Sequence, residues 1–471
     1  VLIGACLIGL CIFGIRGRTG YNPIKVSAAY FCQDAFLNQL GVSPTFNLLT
    51  SVMDDMRPEN KYLHLMDEQE AITKAQALLN RPGDANVSPL AVYRRAAKAD
   101  SVQQRRPNVV LIMMESMSAK FMKHFGQSET LTPFLDSLYT RSISFRNFYS
   151  AGIHTNHGLY ATLYSFPAMM KRNLMKGSVI PRYSGLPTVL KENGYYNLFF
   201  MTHEGQYDNM NAFFRTNGYD EVFSQEDYPA DKVVNSFGVQ DDFLYDYAIP
   251  VLNQRAATGQ PFFATLLSIS NHPPYVIPPF FHPKTSEPEM QIVEYADWAL
   301  RQFFEEARKQ PWFDNTIFVL EGDHGKLVGD AECELPESYN HIPLMIYSSR
   351  IQPEEKTAFG GQVDIQPTIL GLLNIDYLQN NFGVDLLKEE RPCMFYTADN
   401  MVVGRNDTLL YLYNYETQQE LTYDIGNGKL NAVPMDDSFL PLKEYSFSML
   451  QSAEFLVKHG KTLNSIPFTQ Q

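Results

Sequence analysis

Cysteine, basic charge and internal repetition are all scarce in this sequence. Its five cysteines form no framework: Cys6 and Cys11 sit in an apolar run, and Cys32, Cys333 and Cys393 stand far apart. No CxxC and no Cys/His spacing suited to zinc occurs, so neither a disulfide scaffold nor a zinc finger is expected, and the redox compartment stays open. Lys and Arg number 38 against 52 Asp and Glu, a formal net charge of −14, and no basic stripe appears. That excludes a long nucleic-acid groove, which needs a cationic surface. Charged residues make up only 19%, too few for wholesale disorder. No repeat or low-complexity tract is present. What remains is 45% hydrophobic and 13% aromatic content over 471 residues, enough for a sizeable core and too long for one average domain.

Residues 1–15, VLIGACLIGLCIFGI, are apolar and uncharged, and Arg16 and Arg18 follow at once. A full span needs roughly 20 apolar residues. The segment therefore reads as the last part of a transmembrane helix whose start precedes Val1, with a buried core helix as the plain alternative. No small-x-small cleavage site follows, which argues against a signal peptide. The arginines leave orientation open, because long domains translocate largely regardless of flanking charge. Residues 30–53 predict a helix close to the membrane exit, residues 67–79 a second helix, and residues 86–107, with Arg94, Arg95, Arg105 and Arg106, a polar connector.

From residue 108 the pattern is α/β. Five short apolar runs, 109–114, 196–201, 262–269, 316–320 and 343–347, suit strands buried on both faces. Helical stretches at 186–193 and 293–308 alternate with them. This predicts a mostly parallel central sheet with helices on both faces. Ligands in such sheets bind at the carboxyl ends of strands. Glu115 follows the first run, His203 the second, Asn271 and His272 the third, Asp323 and His324 the fourth. If one sheet holds these strands, five acid or imidazole groups converge on one edge, which points to a metal site. Glu115, Asp323 and His324 offer two carboxylates and an imidazole, a set suited to Zn²⁺, Mn²⁺ or Mg²⁺. Glycines flank Asp323-His324, so the backbone can turn sharply enough for adjacent side chains to face one ion. Thr155 lies between His154 and His157 at a predicted helix start, either as an N-cap or as a nucleophile seated where backbone N–H groups favour an anion. Beyond residue 387, runs at 394–396, 401–403, 408–413 and 420–423 alternate like short antiparallel strands, and 446–459 reads as a closing helix.

These residues carry a resemblance. The segment 108–116, NVVLIMMES, is similar to the metal-binding strand of the lipoteichoic acid synthase family, within the alkaline phosphatase/sulfatase superfamily. TPFLD at 132–136 resembles its T-P-x-L-D segment. FRNFYSAG at 145–152, followed by Thr155, Gly158 and Leu159, resembles its nucleophile segment. SNHPPY at 270–275 resembles its N-H-x-P-Y motif, EGDHG at 321–325 matches its D-H-G, and VDIQPTIL at 363–370 resembles the superfamily's D-I-x-P-T-x-L helix. The resemblance covers roughly residues 108–373 in the correct order.

The resemblance implies that Glu115, Asp323 and His324 bind one divalent ion, manganese or magnesium, with Thr155 as nucleophile and further ligand. His203 and His272 would touch phosphate or leaving group. It also implies a catalytic domain outside the cytoplasmic membrane, on the periplasmic or extracellular side. The Trp-x-Arg pair of Gram-positive synthases is missing; Asp208, Asn209 and Met210, with Phe213 and Phe214, resemble Gram-negative relatives instead. Asp208 and Asn209 then become head-group contacts, with Arg215 beyond them. The sulfatase signature C/S-x-P-x-R is absent. The expected protein is a membrane-anchored phosphoglycerol transferase, taking its group from an anionic phospholipid, phosphatidylglycerol, and giving it to a glycan or glycolipid acceptor. Phosphoethanolamine transfer, phosphodiester hydrolysis and a non-catalytic head-group receptor are the rival readings. The expected organisation is a partial transmembrane helix at 1–18, a helical juxtamembrane and linker region at 19–107, a catalytic core at 108–387 and an α+β subdomain at 388–471.

Overall fold

The computed structural model describes residues 2–19, 23–32, 35–57, 61–81, 92–96, 106–177 and 180–464. The chain begins with α1 (Leu2–Arg16), α2 (Ala35–Leu40), α3 (Pro44–Asp55) and α4 (Glu68–Leu79). The single helix expected over 30–53 is thus broken. Pro44 lacks an N–H and disfavours a helical conformation in the residue before it, so it starts a new helix. α4 falls where expected. Asp67 caps it, its carboxylate accepting from the N–H groups of Gln69 and Glu70.

The short strand β1 (Arg94–Ala96) precedes the core. Residues 86–91 and 97–105 of the expected connector lie outside the described residues. Within it, Arg94 is buried and its guanidinium donates to the carbonyls of Leu79 and Gly383. The core then runs through β2 (Asn108–Met114), α5 (Pro133–Tyr139), β3 (Ile143–Tyr149), α6 (Thr155–Tyr164), α7 (Leu186–Glu192), β4 (Tyr196–Met201), α8 (Met210–Thr216), β5 (Glu221–Phe223), α9 (Asp241–Ala256), β6 (Phe262–Leu267), α10 (Pro288–Ala307), β7 (Thr316–Gly322), β8 (Leu344–Tyr347), β9 (Glu354–Gly361), α11 (Ile365–Leu372) and β10 (Tyr377–Gln379). β1 pairs with β10, tying the N-terminal region to the core.

Eight strands form the central sheet in the order β5-β4-β6-β2-β7-β8-β3-β9. All run parallel except β8, which is antiparallel to both neighbours. The fold is therefore the expected mostly parallel α/β sheet, with the fifth apolar run entering reversed. Burial alternates along β2. Val109, Leu111 and Met113 pack into one core layer with α6 and α7, and Val110, Ile112 and Met114 into the other with α9 and α10. That two-sided burial is why the strand reads as an unbroken apolar run.

The C-terminal part is an antiparallel meander, β11 (Met394–Thr397), β12 (Met401–Arg405), β13 (Leu409–Asn414), β14 (Glu420–Asp424) and β15 (Asn431–Ala432), closed by α12 (Leu440–Lys458). α12 packs on the meander and on α4, where Lys458 meets Glu68 at 2.9 Å and the Gln451 side chain accepts from the Leu65 N–H at 2.7 Å. Asp364, at the head of α11, joins this part to the core. It is fully buried and accepts from the N–H groups of Gly361 and Val384 and from Arg391, whose Nε reaches Oδ2 at 2.9 Å. Arg391 also donates to the Tyr445 hydroxyl of α12 at 2.6 Å. Removing one member of a buried pair leaves an uncompensated charge. Arg391→Ala should lower the unfolding free energy by about 3–5 kcal/mol, read by chemical denaturation, and a loss well under about 1 kcal/mol would show that the pair does not hold the two parts together.

Candidate active site

The register of the parallel strands brings the expected residues to one edge. On β2 and β7, Met114 lies opposite Gly322, so the next residues, Glu115 and Asp323, leave the sheet side by side. Met113 pairs with Leu267 on β6, and Leu267 with Met201 on β4. The segments carrying His203, Asn271 and His272 therefore emerge at the same level. β3 runs in the same direction, and its end leads through Ser150 to α6, which starts at Thr155. Thr155 is the first residue of that helix, and its N-cap position is filled by His154.

Glu115, Asp323 and His324 bring one ligand atom each to within 4.8 Å of one another. His324 Nδ1 is hydrogen-bonded to the Gly325 carbonyl at 2.7 Å, so the ring is fixed with Nε2 towards the acids, 3.8 Å from Glu115 and 3.6 Å from Asp323. Thr155 Oγ1 lies 3.3 Å from Glu115 Oε2. Both carboxylates are fully buried. Burial and the neighbouring Asp323 charge push the Glu115 carboxyl well above its usual range. Asp323 Oδ2 is buried without a hydrogen-bond partner. Two acidic oxygens, one of them buried and orphaned, and an imidazole nitrogen make a donor set that fits a divalent cation.

A tight scaffold holds the acids in place. Ser116 adopts a left-handed backbone, φ 50°, which aims its N–H at Asp323 Oδ1 at 2.8 Å and its hydroxyl at Glu115 Oε1 at 2.7 Å. Strain of this kind costs about 1–2 kcal/mol and persists only where surroundings enforce it. Asn271 donates to the carbonyls of Glu115 and Ser116 at 3.1 and 3.2 Å. Gln362 donates to the Gly322 and Asp323 carbonyls and accepts from the Ala151 N–H, bridging the metal loop to the segment before Thr155. α6 rides directly on that loop. A Cβ at position 158 would overlap the Asp323 carbonyl oxygen, so the helix closes on the acids only because residue 158 is glycine.

The second group of expected residues is joined by ring contacts and hydrogen bonds of its own. His203 stacks near Tyr207 with ring centroids 4.7 Å apart, Tyr207 near Phe237 at 6.2 Å, and Phe237 against His272 at 4.0 Å. This chain of rings joins two strand ends into one rim. Burial lowers the pKa of both histidines, so each is biased towards the neutral form. His272 Nδ1 contacts the Pro273 carbonyl at 2.6 Å, leaving Nε2 for a ligand. Asp208 pairs with Lys176 at 2.8 Å and accepts from the Asn156 amide at 3.4 Å, next to Thr155. Asn209 is buried, and its side-chain amide donates to the Met175 carbonyl at 3.2 Å. Arg215 turns away, donating to Asn211 Oδ1 at 2.8 Å and to the Val222 carbonyl.

Sequence reasoning did not single out Ser116, Asn156, Lys176, Lys326 or Gln362. Lys326 binds Asn271 Oδ1 at 2.8 Å and the Tyr275 hydroxyl at 3.1 Å, linking the metal loop to the His272 loop. Its place directly after the Gly-Asp-His-Gly turn was the available signal.

His157, on α6, is fully buried, and neither ring nitrogen has a hydrogen-bond partner. Burial drops its pKa from 6.5 to about 3. Below pH 6.5 the unfolded chain takes up a proton that the folded chain refuses, so stability falls as pH drops from 6.5 towards 3. His157→Leu should flatten the acid-induced fall in melting temperature between about pH 6.5 and pH 4. An unchanged slope would mean that His157 does not set it.

Residues 107–375 match the family model described as Sulfatase. The chain is 25% identical over 350 residues to lipoteichoic acid synthase 1 of Bacillus subtilis, covering 68% of this chain and 53% of that one. It is 24% identical over 315 residues to lipoteichoic acid synthase 2 of the same organism, covering 60% and 47%. It thus spans about half the length of these curated relatives. Among solved structures, a protein in the alkaline phosphatase superfamily from Vibrio parahaemolyticus superposes with a TM-score of 0.76 at 26% identity, over 87% of this chain and 100% of that one. A lipoteichoic acid synthase from Listeria monocytogenes shares the fold, with a TM-score of 0.65 at 21% identity, over 77% of this chain and 96% of that one. The family match takes in more than half of the chain and every strand end that carries the acid–imidazole cluster; this chain belongs to the sulfatase family, within the alkaline phosphatase/sulfatase superfamily, and is homologous to the lipoteichoic acid synthases.

Proposed function

We propose that this protein is a metal-dependent phosphoglycerol transferase, moving the group from phosphatidylglycerol to a hydroxyl of a glycan or glycolipid through a phosphothreonine-type intermediate on Thr155. The observation that carries the reading is the hydroxyl of Thr155, at a helix N-terminus, 3.3 Å from an acid of the cluster. Glu115, Asp323 and His324 would hold the ion, Mn²⁺ or Mg²⁺, with Zn²⁺ compatible with the same donors. When bound, such an ion favours ionisation of a neighbouring hydroxyl and offsets phosphate charge.

The chain's own residues supply the rest. Thr155 Oγ1 forms a bond to phosphorus as the bond to the diacylglycerol oxygen breaks. The proton lost by Thr155 balances the one gained by diacylglycerol, and His272 Nε2 is the carrier, since Nδ1 is held by Pro273. In the second displacement the acceptor oxygen bonds to phosphorus, the Thr155 bond breaks, and its hydroxyl is restored. Water as acceptor would give phosphodiester hydrolysis at the same groups. His203, Asp208 and Asn156 border the head group, and Asn209 shapes that loop. The Lys176 ion pair already balances Asp208, which favours an uncharged glycerol over a cationic ethanolamine. The absent C/S-x-P-x-R signature argues against sulfate-ester hydrolysis. A lipid donor fits a chain held in the cytoplasmic membrane with its catalytic domain on the outer side.

Thr155→Ala should abolish turnover while the melting temperature stays near that of the wild type, and mass spectrometry of the wild type with donor should place a phosphoryl adduct on Thr155. An adduct on Ser116 or Ser150 sinks the assignment. Asp323→Asn should remove both bound metal, read by elemental analysis, and activity; retained stoichiometric metal would count against the cluster. Asp208→Asn should weaken glycerol-donor use only modestly, and a collapse specific to phosphatidylethanolamine would reverse the donor assignment.

A further inference from the structure

α3 is amphipathic the wrong way round for a helix in water. Its residues Asn47, Thr50 and Ser51, with Phe46, are half-buried, while Leu48, Leu49, Val52 and Met53 are exposed. Leu48, Leu49 and Met53 are each 60% exposed or more, and Met56, just past the helix, continues the row. The spacing i, i+1, i+4, i+5 and i+8 places these side chains on one face. α1 adds a second apolar element, with every residue from Leu2 to Ile15 exposed. Among the described residues no helix is long and apolar enough to cross a membrane.

The segment between these helices is docked on the pocket loop. Arg18 pairs with Glu204 at 2.8 Å, next to His203. The Asn211 side chain, at the start of α8, donates to the Tyr30 carbonyl at 3.1 Å. Lys25 has Asp208, Glu204, Lys176 and Arg57 as its electrostatic neighbours. A chain of net charge −14 thus brings Arg18, Lys25, Lys176 and Arg57 to the neighbourhood of the head-group loop, where Arg18 and Lys176 pair with its acids.

We propose that α3 is an interfacial helix, lying in the surface of a bilayer that contains anionic phospholipid, with Leu48, Leu49, Val52, Met53 and Met56 in the acyl boundary, and that it holds the 203–209 loop at head-group level so that the donor enters the pocket from that leaflet. An apolar face bordered by cations suits such a surface, because apolar burial and attraction to anionic lipid act together. The donor-entry part rests on the reading of the site as one acting on a phospholipid; the docking part does not.

The test uses the whole chain reconstituted into phosphatidylcholine/phosphatidylglycerol vesicles, with and without brominated acyl chains. Leu49→Trp should lose about half or more of its added emission to bromine, as expected for a side chain at the acyl boundary. The wild type, whose tryptophans are Trp298 and Trp312, provides the baseline. An unquenched Leu49→Trp overturns the docking, as would burial of the face in a concentration-dependent dimer that bromine does not reach. The double variant Leu49→Glu with Met53→Glu should cut kcat/KM on vesicle phosphatidylglycerol by about tenfold, as expected if burial of the two side chains contributes to reaching the donor. Turnover of a soluble aryl phosphodiester should be unchanged. Equal loss on both substrates overturns the donor-entry role. Quenching without activity on either substrate keeps the docking and removes the reaction reading instead.

Discussion

Glu115 and Asp323 are placed next to each other by the hydrogen-bond ladder between β2 and β7, because the last residue pair of that ladder fixes where the following two side chains leave the sheet. Two carboxylates side by side in a water-excluded site repel by several kcal/mol even at an effective dielectric near 20. Without compensation the arrangement relaxes by taking up a proton or by moving apart. Much of the nearby structure prevents the second outcome. Ser116 gives a hydrogen bond to each acid from a strained backbone, Asn271 locks the turn from below, and Gln362 ties the Asp323 carbonyl to the segment before Thr155. The imidazole of His324 is turned with its free nitrogen towards both acids. Geometry held this firmly against charge repulsion makes sense when a cation relieves the repulsion, and the orphaned Asp323 oxygen is the atom such a cation would meet.

The parts of the fold legible in the sequence are those whose residues see the same environment on both sides. β2, β4 and β7 are buried on both faces and appear as unbroken apolar runs. β3 reads ISFRNFY and is half-exposed at Arg146 and Asn147, so its role as a strand was hidden inside a functional motif. β9 opens Glu-Glu-Lys at the sheet edge, where charge protects an unpaired ladder but erases the apolar signal. β5 has three residues, too few for any periodicity. The reversal of β8 was invisible for a different reason. A short apolar run carries no direction, and which way it enters depends on the connection before it rather than on its own residues.

The candidate site divides along similar lines. The cluster of Glu115, Asp323 and His324 could be read from the sequence because strand ends in a parallel sheet point to a shared edge. Their supports could not. Ser116 to Asp323, Asn156 to Asp208, Lys326 to Asn271 and Gln362 to Asp323 are contacts between segments remote in sequence, made by ordinary polar residues. Asn209, expected from its type as a head-group contact, donates its amide to the Met175 carbonyl, a brace for the loop that its type alone does not announce. Asp208 next to it shares the left-handed backbone but accepts from Asn156, so adjacent residues of similar chemistry have different partners.

Charge raises a further constraint on any lipid-facing reading. A protein of net charge −14 approaching an anionic leaflet ought to be repelled. At physiological ionic strength, however, charges are screened over about 8 Å, so most of the acidic surface is not felt by head groups at all. What matters is the layer within one such length of the contact. Near the pocket loop the chain presents Lys25 with two ion pairs, Arg18 with Glu204 and Lys176 with Asp208, while the acids of the metal cluster are fully buried. On the proposed reading an anionic head group would meet this locally balanced patch, and the acidic cluster only where a bound cation would offset it. The charges beside the pocket, and not the net charge of the chain, then decide whether an anionic lipid can approach.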